Sequence, residues 1–200
     1  MGLSETNSAI ANSVVLVPLR SFDDAKSRLS DSFDAQQRRV LMRQMAETVV
    51  AAAHDLPVWI VTDDRDVAKW AAALGVACVA VGVHGLNPGI TIAAARATAA
   101  GFSRIIIAHA DLPFATDLRV VQGSGVVIAP DRHRDGSNVM SLPSGSGFVF
   151  AYGPNSFTKH RTEASRLGLS FTEINEATLA WDIDSPNDLR TVLPQRIVSS

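Results

Sequence analysis

Apolar and polar positions along this chain switch repeatedly between the two-residue period of strands and the 3.6-residue period of helices. Val14–Val17 is a short β-branched run closed by Pro18, which predicts a first strand; a polar stretch, residues 20–34, follows. Between Ala35 and Ala53, the residues Val40, Leu41, Met45, Val49 and Val50 recur near helical spacing and predict a helix. Val58–Val61 reads as a strand ended by Thr62-Asp63-Asp64, and Val67–Leu74 as a helix stopped by Gly75. Val76–Val81 is the third predicted strand and Pro88–Ala100 an alanine-rich helix closed by Gly101. Arg104–Ala108 is apolar almost throughout, the pattern of a strand buried on both faces. Gly125–Ala129 and Ser146–Phe150 read as later strands with a polar loop between them. Ser156–Leu167 then predicts a helix, Phe171–Ile174 a strand, and Pro186–Leu193 a last helix with Asp184 or Ser185 as its N-cap.

Strands separated by helices imply an α/β chain with a mostly parallel, doubly wound sheet. At 200 residues, with no repeat, low-complexity segment or linker, one domain over 13–200 is expected, preceded by a frayed tail over 1–12. The chain is 46% hydrophobic and 19% charged with a formal net charge of −2, which gives neither a nucleic-acid surface nor a polybasic membrane patch. No apolar run approaches the roughly 20 residues of a membrane span, and the first residues lack the basic and apolar regions of a secretory signal. The one cysteine, Cys78, sits in the run VACVAV and reads as a buried strand residue; a lone thiol agrees with a reducing, cytoplasmic setting.

In an open α/β sheet, ligands sit beyond the carboxyl ends of the strands, and the chemically interesting residues fall there. Arg20, Lys26 and Arg28 follow the first strand in VPLRSFDDAKSRL, where they serve either as phosphate ligands or as a solvated basic loop. No P-loop or dinucleotide fingerprint accompanies them. Asp111, in IIIAHADLP, follows the fourth strand and suits either a hard cation such as Mg²⁺ or the cap of the next helix. His109 reads as a packed residue near that strand end, and the remaining histidines lack the spacing of a zinc set. The loop APDRHRDGSN mixes charges around Gly136 and reads either as a substrate loop or as plain surface, and Gly153-Pro154-Asn155 turns into a helix starting near Ser156, whose first N–H groups suit either an anion or ordinary capping. In DIDSPNDL, Asp182 and Asp184 alternate along an extended segment and face one side, a costly pairing that a cation would relieve; capping by Asp184 is the alternative.

Together, AKSRL, GLN at 85–87, ADLP at 110–113, APDR with DGSN at 129–138, GPNS at 153–156 and DIDSPNDL at 182–189 resemble the 2-phospho-L-lactate guanylyltransferase family. That family includes the phosphoenolpyruvate guanylyltransferases of coenzyme F-420 biosynthesis. The resemblance runs from about Val14 to Leu193. It implies a single-domain, three-layer nucleotidyltransferase fold like that of the nucleotide-diphospho-sugar transferases, with a mostly parallel mixed sheet and helices on both faces. It implies transfer of GMP from GTP to a small phosphorylated three-carbon acid, with pyrophosphate leaving. Phosphoenolpyruvate is the favoured acceptor and 2-phospho-L-lactate the second.

By the same resemblance, Asp111 and Asp184 hold Mg²⁺ with Asp182 as a helper, and Lys26 contacts the triphosphate or the reacting phosphate. Arg20 and Asn87 face the nucleotide, Arg28 adds charge, and Ser137, Gly153 and Ser156 match positions that hold the acid. The expected partners are GTP, the acid and the next enzyme of the pathway, with a homodimer as the working expectation for assembly. Three positions depart from the family pattern: Arg20 stands where a lysine is common, Ser137 where a threonine is usual, and His109 where a smaller residue is common. Rival readings are a nucleotidyltransferase for a sugar phosphate or a molybdopterin-type acceptor, a glycosyltransferase using Asp182–Asp184 as its metal motif, and a binding module without turnover.

Overall fold

A computed structural model describes residues 12–23 and 33–183 together with Asp188. Lys26, Arg28, Asp184 and the expected tail and last helix therefore lie outside the described residues, apart from Asn12 and Asp188. Among the described residues, seven strands form one sheet in the order β3-β2-β1-β4-β6-β5-β7. They are β1 (Ser13–Pro18), β2 (Val58–Val61), β3 (Ala77–Val79), β4 (Arg104–Ala108), β5 (Val126–Pro130), β6 (Ser137–Pro143) and β7 (Phe171–Glu173). The helices are α1 (Ala35–Ala51), α2 (Arg65–Ala73), α3 (Leu86–Ala99), α4 (Ser156–Arg166) and α5 (Ala177–Ala180), with a 3₁₀ turn at Leu118–Val121. β6 runs antiparallel to β4 and β5, while the other pairings are parallel.

The central strands alternate their side chains between two cores. Val15, Val17 and Ile106 pack with Met45 and Val49 of α1 and Trp70 of α2. Val14, Leu16, Ile105 and Ile107 face Ile90 and Ala93 of α3 and Phe157 of α4. The result is the helix–sheet–helix sandwich expected from the alternation. Local chemistry fixes the helix starts. Asp34 and Gln37 form a reciprocal capping box on α1, with bonds of 2.8 and 3.0 Å. Asp64 accepts from the N–H groups of Asp66 and Val67, so α2 opens two residues earlier than its apolar pattern predicts. Pro88 in the first turn of α3 lacks only an N–H that would have no helical partner there.

Two expectations need correction. Ser146–Phe150 is not a strand; the sheet instead takes Ser137–Pro143, which looks like a polar loop in sequence. Ser137, Asn138 and Ser141 are buried in β6, and the first two gain side-chain bonds to His160 and to the carbonyl of Leu179. Residues 148–150 keep a strand-like alternation, with Phe148 and Phe150 buried and Val149 61% exposed, but the segment has no sheet neighbour. Cys78 is exposed rather than buried, because β3 is an edge strand and its helix-covered neighbours leave that side open. Among the described residues, no helix is long and apolar enough to cross a membrane.

Candidate active site

The carboxyl ends of β1, β2, β3 and β4 share one edge of the sheet, and the strand order reverses between β1 and β4. Loops leaving neighbouring strands in opposite directions open a crevice at such a point. Two cavities occupy it. The larger, of about 650 Å³, is lined by the ends of β1 and β2 and by the loop from Val81 to the start of α3. The smaller, of about 250 Å³, is lined by Met42, His109, Ala110 and Asp111. Pro18, Leu19, Arg20, Ser21 and Leu86 belong to both, so the two are compartments of one cleft.

The wall of the larger compartment includes Gly82, Gly85 and Gly89 beside the polar Asp63, Asp64 and His84. Gly85 precedes α3 at φ +100°, a conformation that favours glycine. Asp63 holds this wall together: its carboxylate accepts from the N–H groups of Val81 and Gly82 at 2.8 and 2.9 Å. Arg20, exposed in both compartments, brings a fixed positive charge to their junction. Asp111 lies half-buried in the smaller compartment, where its oxygens suit a hard divalent cation. Asp182 is half-buried, and its main-chain oxygen accepts from Arg132. Among the described residues, no three carboxylate, imidazole or thiol groups converge on one point; Asp184 lies outside them.

The loop 131–136 sits on the same edge, between β5 and β6. One carboxylate folds it. Asp131 accepts from the N–H groups of His133, Asp135 and Gly136 at 2.9 to 3.0 Å. A Cβ on Gly136 would stand 2.9 Å from Asp131 Oδ2, so a larger residue here would have to displace the carboxylate that folds the loop. Two arginines then fasten the loop. Arg132 pairs with Asp188, which is 4% exposed, and lies 4.5 Å over the Trp181 ring. Its own N–H bonds the carbonyl of Ala180 at 2.9 Å. Arg134 pairs with Glu173 of β7 and covers Phe157 of α4. The segment before Asp184 is thereby held to the loop.

The expected acid-binding residues sit beside it. Ser156 Oγ accepts from the N–H of Ser137 at 3.1 Å, and Ser137 Oγ lies 3.0 Å from His160 Nδ1. His160 Nε2 accepts from the N–H of Ala151, so the proton of the neutral ring is on Nδ1 and is donated to Ser137. Burial pushes His160 down to about 4, which keeps it neutral near pH 7. Both serines are buried, whereas Gly153 exposes its main chain at φ +121°. At the start of α4 most donors are already engaged: the N–H groups of Asn155 and Phe157 bond Asp135, and that of Ser156 bonds Gly153.

Asn87 is likewise not in a loop facing the cavity. It lies in the first turn of α3, and both ends of its carboxamide bond the main chain of Tyr152. Asp63, His160 and the Arg132 clamp were not assigned these roles from sequence. Asp63 carried the same signal as Asp111, an acid directly after a buried strand, whereas the partners of His160 and Arg132 are too distant in the chain for any spacing to reveal.

A seven-stranded sheet of this order, with a two-compartment cleft at its switch point, defines a nucleotidyltransferase-class fold. A nucleotidyl transferase from Methanothermobacter thermautotroptrophicus shares it, with a TM-score of 0.64 at 15% identity over 94% of this chain and 99% of that one. The chain belongs to the family described as Guanylyl transferase CofC like, whose model matches residues 13–195. Relatives called phosphoenolpyruvate guanylyltransferase include one from Sphaerobacter thermophilus, 32% identical over 88% of this chain and 90% of its own length. Another, from Chloroflexus aurantiacus, is 32% identical over 88% of this chain and 92% of its own length.

Proposed function

We propose that this protein transfers GMP from GTP to phosphoenolpyruvate in the route to coenzyme F-420, releasing pyrophosphate. The observation that carries the reading is the divided cleft, one compartment large enough for a nucleotide and a smaller one containing Asp111, with Arg20 at their junction. The family and the names of its members supply the base and the acid.

The chemistry is a charge problem. A phosphate near neutral pH is already largely dianionic, its second pKa being about 6, so the acceptor needs no strong base. Its oxygen attacks the α-phosphorus of GTP in line, the bond to the bridging oxygen of pyrophosphate breaks, and a phosphoanhydride to GMP forms. The obstacle is repulsion between the two anions. Arg20 reduces it at the junction, and Lys26 and Arg28 are proposed to do so from the segment that follows β1. Asp111 and Asp184, with Asp182 as helper, would hold Mg²⁺, which supplies charge neutralisation to the leaving pyrophosphate. On the acid side, the exposed main chain of Gly153 is proposed to contact the acid, with the buried, mutually bonded Ser137 and Ser156 behind it. A labile product favours direct hand-off to the next enzyme.

The test is pyrophosphate release with GTP and Mg²⁺, offering phosphoenolpyruvate, 2-phospho-L-lactate and 3-phosphoglycerate separately, with product masses read out. Turnover with phosphoenolpyruvate that stops on chelation is expected. Silence with all three acids, from folded protein and with the consuming enzyme present, sinks the reading; turnover undiminished by chelation sinks its Mg²⁺ component.

A further inference from the structure

The segment 148–152 follows an alternating pattern without a strand to pair with, so its N–H groups must be satisfied in another way. Side chains do this. The N–H of Val149 bonds Glu163 Oε1 at 2.9 Å, that of Ala151 bonds His160 Nε2 at 3.0 Å, and that of Tyr152 bonds Asn87 Oδ1 at 2.7 Å. Glu163 and His160 belong to α4, on the acid side. Asn87 belongs to α3, whose first residues line the nucleotide compartment. The amide of Asn87 also donates to the carbonyl of Tyr152 at 3.1 Å, so a single side chain holds both main-chain groups of a residue 65 positions away.

Tyr152 is buried behind the smaller compartment, between α4 and the end of β4. Its ring packs 4.7 Å from His160 and 5.3 Å from His109, which lines the smaller compartment two residues before Asp111. The next residue is Gly153. The Tyr152 hydroxyl is buried and has no hydrogen-bond partner among the described residues, so its main chain, held by Asn87, does the anchoring.

Given the proposed function, we infer that Asn87 is a positioning residue that couples the two substrate sites. The start of α3 and the segment leading into Gly153 are joined through its carboxamide. A nucleotide that settles the start of α3 therefore settles the turn at Gly153, the expected contact of the acid, and by thermodynamic reciprocity the acid tightens the nucleotide by the same factor.

The experiment measures binding without turnover. The probes are guanosine 5′-(α,β-methylene)triphosphate with Mg²⁺, whose bridging group cannot leave, and phosphoenolpyruvate. Calorimetry gives the affinity of the analogue with and without saturating phosphoenolpyruvate. In the unaltered protein, the acid should tighten the analogue by a factor in the usual coupling range of about 5 to 150. In Asn87→Ala that factor should fall to within about twofold of unity, while the affinity for the analogue alone stays within about threefold. Asn87→Asp keeps the acceptor for the Tyr152 N–H but loses the donor, so its factor should be intermediate; it carries the test if the alanine variant does not fold. Tyr152→Phe keeps the ring and both main-chain bonds and should retain the full factor.

An unchanged factor in folded Asn87→Ala, or an equal loss in Tyr152→Phe, overturns the inference. So does a loss of affinity for the analogue alone as large as the loss of coupling, since that would mark a direct contact. Binding of both probes by the unaltered protein with no coupling overturns the inference and leaves the proposed function standing. No binding of the analogue at all defeats the functional reading, and the inference falls with it.

Discussion

The two halves of the sheet build their shares of the cleft by different means. On the side of β1, β2 and β3, parallel strands end in loops around an open cavity, held by bonds such as those from the N–H groups of Val81 and Gly82 to Asp63. Around β5, β6 and α4 the space is filled. Asp131, Ser137, Ser156 and His160 are bonded to one another's surroundings, and loop 131–136 is fastened by Arg132 and Arg134. An open cavity leaves room for a large ligand. A network of buried polar groups fixes one shape and suffers when any member is lost.

The contrast can be tested by perturbing each half in turn. The largest effect is expected at the junction. Asp111→Asn should lower turnover by on the order of 10³-fold, about 4 kcal/mol of transition-state stabilisation, with an unaltered unfolding curve. Full activity would remove Asp111 from the proposed metal site.

The next effect is a pH dependence confined to the filled half. His160 is neutral in the fold, at about 4, against an ordinary 6.5, so the unfolded chain binds the extra proton between those values. Its contribution is complete above pH 6.5 and is lost as pH falls towards 4, by up to about 3 kcal/mol. Denaturant unfolding between pH 7 and 4 should show this slope, and His160→Gln should flatten it. The same slope in both proteins would assign it to other groups.

Ser137→Ala should cost about 1–2 kcal/mol, since it leaves the buried N–H of His160 without its acceptor; urea unfolding measures it. In the open half, Asp63→Ala should loosen the wall at Val81 and Gly82, raising KM for GTP by roughly three- to tenfold with kcat nearly unchanged, as expected for lost uniform binding. A fall in kcat instead would place Asp63 in the chemistry. Cys78→Ser, on the exposed edge, should stay within about 0.5 kcal/mol of the parent in the same assay.

The open half was also the legible half. Apolar runs in β1, β2 and β4 announce strands because both of their faces are covered, and Asp111 and Arg20 are readable because a strand end puts the next polar residue at the sheet edge. The filled half hides its strand. β6 begins Ser137-Asn138, and its polar side chains are buried only because His160 and the Leu179 carbonyl receive them, partners 23 and 41 residues away. Phe148 and Phe150 alternate around Val149 as a strand would, but side chains from α3 and α4 take the place of a neighbouring ladder. Cys78 misled for the opposite reason: its apolar run lies at an edge, where hydrophobic sequence does not guarantee cover. Asn87 stands out in the sequence through its motif, but its contact with Tyr152, 65 residues away, is one that no local pattern encodes.

The strand order also bears on how copies of this chain meet. Among the described residues the two outermost strands, β3 and β7, are three residues each, half the length of β1 in the interior of the sheet. So short a border presents few unpaired main-chain groups to a visiting strand and gives little to template further pairing. Joining two such sheets end to end would yield only a few new ladder bonds. Self-association of this protein should therefore proceed through a helical face rather than by lengthening the sheet.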